Sequence, residues 1–133
     1  MKKVIFSLLF FIFTLVELEA SFTSINNFEL SRYMKKRMVI VDIREKFAWN
    51  ETGIIPSAYK ITYANSNDIE SWLRVFRRIV KNKNISFILV SDKGRKAYKL
   101  SKLLSKKFGY KYIFYLQGGI QSWMNEDGRV IKY

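Results

Sequence analysis

The sequence has no cysteine and no histidine, one proline, and only 11 acidic residues against 24 basic ones. Each shortage closes a class of chemistry. Without cysteine there are no disulfides, no thiolate nucleophiles and no sulfur-carrying persulfides. Without histidine the usual general base near neutral pH and the commonest metal ligand are both missing. Carboxylates are scarce as well, so neither a metal site nor a bound cofactor is expected. The formal net charge of +13 on 133 residues favours solubility and attraction to anions, acidic proteins and, weakly, anionic membrane surfaces. It does not define a fold.

What is present in quantity is apolar surface. Hydrophobic residues make up 49% of the chain and aromatics 17%, enough for a buried core in a length that suits one domain. The first residues read differently from the rest. Lys2 and Lys3 precede a run from Val4 to Val16 that holds no charge, and small Ala20 stands before Ser21. A basic start, an apolar middle and a small residue at the end describe a secretory signal peptide. The run is shorter than the ~20 residues a helix needs to cross a bilayer. The expectation is a signal peptide at 1–20, a domain at 21–133 and export to a bacterial periplasm, with an uncleaved membrane anchor as the alternative. Removal of 1–20 takes Lys2, Lys3, Glu17 and Glu19, so the charge of +13 is unchanged. Export also argues against nucleic acid as a partner, despite the basic composition.

Beyond residue 20, two kinds of apolar block alternate. Met38–Ile43, Phe87–Val90 and Tyr112–Leu116 are short β-branched or aromatic runs and predict buried strands, with a weaker one at Tyr59–Thr62. Ile69, Trp72, Leu73, Phe76, Ile79 and Val80 recur at helical spacing, with Arg74, Arg77, Arg78 and Lys81 mostly facing away. Ala97, Leu100, Leu103, Leu104 and Phe108 form a second stripe, with Lys99, Lys102 and Lys106 outside, and Gly109 follows where a left-handed residue ends a helix. Shorter helices are predicted at Ile25–Lys36 and Ile120–Asn125. Strands alternating with helices imply a mainly parallel sheet covered on both faces. In such sheets the functional crevice lies beyond the carboxyl ends of the strands, which directs attention to the residues after Ile43 and after Val90.

Three segments carry a resemblance. Val41-Asp42-Ile43-Arg44-Glu45 places an Asp and an Arg at the end of an apolar strand. Gly53-Ile54-Ile55-Pro56-Ser57-Ala58 is a proline-centred turn. Leu116-Gln117-Gly118-Gly119-Ile120-Gln121-Ser122-Trp123 runs from a strand through two glycines into a helix. In this order and at these separations the chain resembles the rhodanese-like (sulfurtransferase) domain. Relative to that family's Gly-His-Ile-Pro-Gly-Ala turn, Ile54 replaces the His and Ser57 the second Gly. The resemblance implies a single three-layer α/β/α domain with a central, mostly parallel sheet. Each segment also has a purely structural role: Asp42 and Arg44 can pair and support loops, Pro56 locks a turn, Gly118-Gly119 permit close passage, and Trp123 can anchor the last helix.

The resemblance also locates the missing chemistry. Ser91-Asp92-Lys93-Gly94-Arg95-Lys96-Ala97 lies where active members of the family hold their catalytic loop. Ser91 takes the place of the cysteine that carries sulfur as a persulfide, and Gly94 keeps the loop's glycine. Lys96 stands where Arg is common and Ala97 where Ser or Thr is common. Sulfur transfer by the family's route is therefore not expected. Ser91 as an alternative nucleophile would need a base, with Lys93 or Lys96 the nearest options in sequence. What the loop retains is a set of backbone amides at a helix N-terminus, ringed by Lys93, Arg95 and Lys96. The expected function is a catalytically inactive domain whose 91–96 loop binds a small oxyanion or an acidic protein partner, supported by Asp42 and Arg44. The alternatives are an enzyme of altered chemistry centred on Ser91, or an interaction protein using its basic helix faces.

Overall fold

The computed structural model describes residues 21–132. The signal peptide expected at 1–20 lies outside the described residues. Strands β1 (Phe22–Ile25), β2 (Val39–Asp42), β3 (Tyr59–Lys60), β4 (Phe87–Val90) and β5 (Ile113–Leu116) alternate with helices α1 (Asn27–Lys35), α2 (Lys46–Thr52), α3 (Ile69–Ile79), α4 (Arg95–Phe108) and α5 (Gly119–Asn125). A short 3-10 turn, Ser66–Asp68, precedes α3. The strands form one sheet in the order β1-β5-β4-β2-β3, and every strand pairing in it is parallel.

The sheet divides the core in two because side chains alternate along each strand. Val41, Phe87, Leu89 and Ile113 face α3 and α4 and pack with Trp72, Leu73, Phe76, Leu100 and Leu104. Ile40, Ile88, Val90 and Leu116 face the other way and pack with Leu30 of α1 and Ile120 and Trp123 of α5. The result is the expected three-layer α/β/α sandwich. β4 sits between β2 and β5 and is buried along its whole length, which is why FILV carries no polar residue. The first layer is built largely of rings: Phe76 stacks on Trp72 with centroids 4.6 Å apart and meets Phe87 and Tyr110 edge-on. Phe76 is fully buried, and burying a side chain of that size contributes about 1.5–3 kcal/mol.

The structure corrects the sequence reading at the start of the domain. Ile25 is not the first residue of a helix spanning 25–36 but the last residue of a strand, and α1 begins at Asn27. Asn26 separates the two as a reciprocal cap: its Oδ1 accepts from the Glu29 amide at 2.8 Å, and Glu29 Oε1 accepts from the Asn26 amide at 3.1 Å. The weak strand at 59–62 is reduced to Tyr59–Lys60, although the amides of Ile61 and Tyr63 still donate to the carbonyls of Asp42 and Ile43. Helix α2 was not expected, since Lys46–Thr52 buries no residue and carries no apolar stripe.

Parallel order brings the loops after β2, β4 and β5 to one edge of the sheet. Those loops are Ile43–Glu45, Ser91–Gly94 and Gln117–Gly118, and they build the site.

Candidate functional site

The loop after β2 is built on an ion pair. Asp42 and Arg44 are almost fully buried, and they are joined by Arg44 Nε to Asp42 Oδ1 at 3.0 Å and Arg44 Nη2 to Asp42 Oδ2 at 2.9 Å. The remaining guanidinium bonds go to Thr52 Oγ1 at 2.9 Å and to the Gly53 carbonyl at 2.8 Å. Arg44 thus ties the C-terminal end of α2 to the end of β2, the geometry of a supporting residue. A buried pair of this kind contributes chiefly by leaving no charge uncompensated.

The loop after β4 folds around Ser91, which is 3% exposed. Its Oγ accepts from the Gly94 amide at 3.1 Å and from the Ala97 amide at 3.2 Å. Ala97 is the third residue of α4, so Ser91 caps a helix from which it is separated by the loop itself. Gly94 is left-handed at φ 96° and packs against Leu116 O and Gly118 N, where a methyl group would lie 3.0 Å from each. Two of the loop's amides converge, and their common point is the serine hydroxyl. The amides of Gly94 and Ala97 are taken by Ser91 itself, and those of Asp92, Lys93, Arg95 and Lys96 donate to no acceptor among the described residues.

The third loop explains why these amides turn as they do. Ile120 N donates to the Ser91 carbonyl at 3.0 Å, and Gln121 N to the Asp92 carbonyl at 3.1 Å. A trans peptide points its C=O and N–H in opposite directions. Pulling these two carbonyls towards α5 therefore turns the amides of Asp92 and Lys93 to the opposite side. The close approach depends on Gly119, at φ 62°, where an added methyl group would fall 2.5 Å from the Ser91 carbonyl oxygen. Gln121 Nε2 also holds the Asp92 carboxylate, at 3.2 and 3.3 Å. Asp92 is thus drawn to α5 and forms no salt bridge with a described residue.

A cleft of about 440 Å³ opens over the loop, lined by Ser91, Asp92, Lys93, Arg95 and Lys96 on one side and by Arg44, Glu45, Phe47 and Ala48 on the other. Lys93, Arg95 and Lys96 are exposed. Of the sequence-derived residues, Arg44, Ser91, Asp92, Lys93, Arg95 and Lys96 line this cleft; Asp42 is buried beside Arg44, and Gly94 packs against the β5–α5 loop. Sequence reasoning missed Gly119 and Gln121 as loop supports and Phe47 and Ala48 as the opposite wall. The Gly-Gly pair was a visible signal for the first of these. Nothing in the local pattern marks Phe47.

An open parallel α/β sheet with a β4–α4 loop cradled by the β2 and β5 loops defines the class of fold. Residues 28–126 match the sequence model of the rhodanese-like domain, and the chain belongs to that family. A rhodanese-related protein from Thermoplasma volcanium is 26% identical, with a TM-score of 0.65 over 84% of this chain and 99% of that one. A rhodanese-like domain protein from Staphylococcus aureus is 25% identical, with a TM-score of 0.63 over 83% and 99%. The polysulfide-sulfur transferase of Wolinella succinogenes, 11% identical over 84% of this chain and 80% of its own, shares the fold alone at a TM-score of 0.67. None of the curated proteins matches. This member has no cysteine, and the family's persulfide route is closed to it.

Proposed function

We propose that the chain is a non-catalytic rhodanese-like domain that uses its 91–96 loop to bind an oxyanion, free or carried on an acidic partner. The observation that carries this reading is the state of the loop. Four of its amides donate to no acceptor among the described residues, Lys93, Arg95 and Lys96 line the cleft beside them, and Asp92, the loop's single acid, is held by Gln121. Such an arrangement favours negative charge through the helix N-terminus and through full cationic charges. Glu45 on the rim opposes it, but it is exposed and screened. Catalysis by Ser91 finds less support, because its hydroxyl donates to no base among the described residues and no histidine exists.

Isothermal titration with thiosulfate, sulfate and phosphate at low salt tests the reading. Millimolar or tighter binding that weakens with added salt and with Lys93→Ala is expected. Absence of heat with all three anions would remove the proposal. The same reading places the mature chain outside the cytoplasm, starting near Ser21, and N-terminal sequencing of the protein from a periplasmic fraction checks this. Should a partner be captured there, charge reversal at Lys93 and Arg95 is expected to release it. Release only by reversal at Lys102 and Lys106 would move the function to the exposed face of α4.

A further inference from the structure

We infer that the ligand of the 91–96 loop is a small aromatic acid, its anionic head held by the loop and Ser91 and its ring seated on Phe47. This rests on the oxyanion reading above and narrows it.

Two observations independent of the helix N-terminus point the same way. The first is the unspent proton of Ser91. A hydroxyl has two acceptor positions and one donor, and both acceptor positions are filled by the Gly94 and Ala97 amides. The donor has no acceptor among the described residues, although the side chain is 3% exposed and forms part of the cleft wall. A buried hydroxyl is rarely left with an unused proton, and the cleft that Ser91 lines is where a ligand oxygen, or a water it displaces, would accept it. The second observation is the opposite wall. Phe47 is 74% exposed on a helix that buries none of its residues, so its ring contributes nothing to the core. With Ala48 it lines the same cleft as the cationic loop.

The cleft has room for more than a bare anion. A tetrahedral oxyanion has the bulk of roughly two or three waters at ~30 Å³ each, which leaves most of a 440 Å³ cleft empty. Sites of about 300–1,000 Å³ suit organic ligands. A flat ring bearing a sulfonate or carboxylate fills both halves: the head receives the Ser91 hydroxyl and the free loop amides, and the ring packs on Phe47.

The test compares benzenesulfonate with methanesulfonate, which share a head and differ in body, by titration against the wild type, Phe47→Ala and Ser91→Ala. The wild type is expected to prefer benzenesulfonate by about tenfold, the order of one aromatic contact. Phe47→Ala should abolish most of that preference and leave methanesulfonate unchanged; being exposed, Phe47 can be truncated without loss of fold. Ser91→Ala should weaken both ligands and preserve their ratio. Ser91→Cys, which keeps an atom at the loop centre but is a poor donor, should do the same if the alanine variant is too unstable to titrate. Equal affinity for the two ligands, or a preference that survives Phe47→Ala, overturns the aromatic seat while the oxyanion reading stands. Unchanged binding in both Ser91 variants overturns the role of its hydroxyl. No binding of either ligand overturns both this inference and the reading beneath it.

Discussion

Ser91 Oγ and the Ala97 amide are joined at 3.2 Å across the whole width of the β4–α4 loop. The serine therefore does structural work at the position where the family's enzymes keep a nucleophile. It satisfies two buried amides that the loop's curvature would otherwise leave without a partner. Ser91→Ala is expected to cost about 1–3 kcal/mol, the penalty for exposing such donors to an apolar void. Urea denaturation of the two proteins measures it, and a change below a few tenths would show that the loop relaxes freely.

Installing the sulfur tests how much of the enzyme was lost with it. Ser91→Cys leaves the carbonyl grip of α5 and the glycine at 94 untouched. The variant is expected to show thiosulfate-to-cyanide sulfur transfer above the zero baseline of the wild type. A silent variant would place part of the loss in Lys96 and Ala97, where the loop departs from the family pattern.

Gly119 admits no side chain, because a methyl group there would overlap the Ser91 and Asp92 carbonyls. Gly119→Ala adds left-handed strain of about 1–3 kcal/mol to that collision. Both stability and anion affinity should fall, since relief requires the 91–92 segment to move. Loss of stability with unchanged affinity would separate the glycine from the site.

Ser57 is the residue that stands where the family has the second glycine of its proline turn, and it holds φ at 67°. A non-glycine residue in that region is strained, and glycine there should stabilise the fold by roughly 0.5–1 kcal/mol after its greater unfolded-state entropy is counted. A rise in thermal midpoint for Ser57→Gly checks this. A fall would mean that the serine hydroxyl contributes more than the turn costs.

Tyr63 provides a pH-dependent prediction. Burial, and then the charge of Asp68, raise its phenol above the ordinary value of 10.0. The folded chain holds this proton more tightly than the unfolded one. The stability from this difference is complete below about pH 10 and is lost as pH rises through the higher folded value. Tyr63→Phe has no proton to lose, so its stability relative to wild type should rise between pH 9 and 11. A pH-independent difference in urea midpoints would contradict the assignment.

The parts of the fold legible in the sequence are those whose burial is recorded locally. Phe87–Val90 is apolar on both sides because both faces of β4 are covered, and the stripes of α3 and α4 repeat at 3.6 residues because one face of each meets the sheet. The parts that were not legible depend on distant partners. β1 exposes Thr23 and Ser24 and becomes a strand only through its pairing with β5, about ninety residues away. Helix α2 has no apolar stripe because Arg44, not a core face, holds it in place.

The same division runs through the site. The sequence alone determined that this member of the family carries no sulfur nucleophile, because composition is a covalent fact that folding cannot alter. Only the tertiary structure decided what stands in its place. The lone pairs of Ser91 are filled by its own loop, Asp92 is held by Gln121, and Phe47 lines the same cleft as the loop's cations. Those contacts join the ends of three strands, and they exist only once parallel pairing has brought those ends to one edge of the sheet.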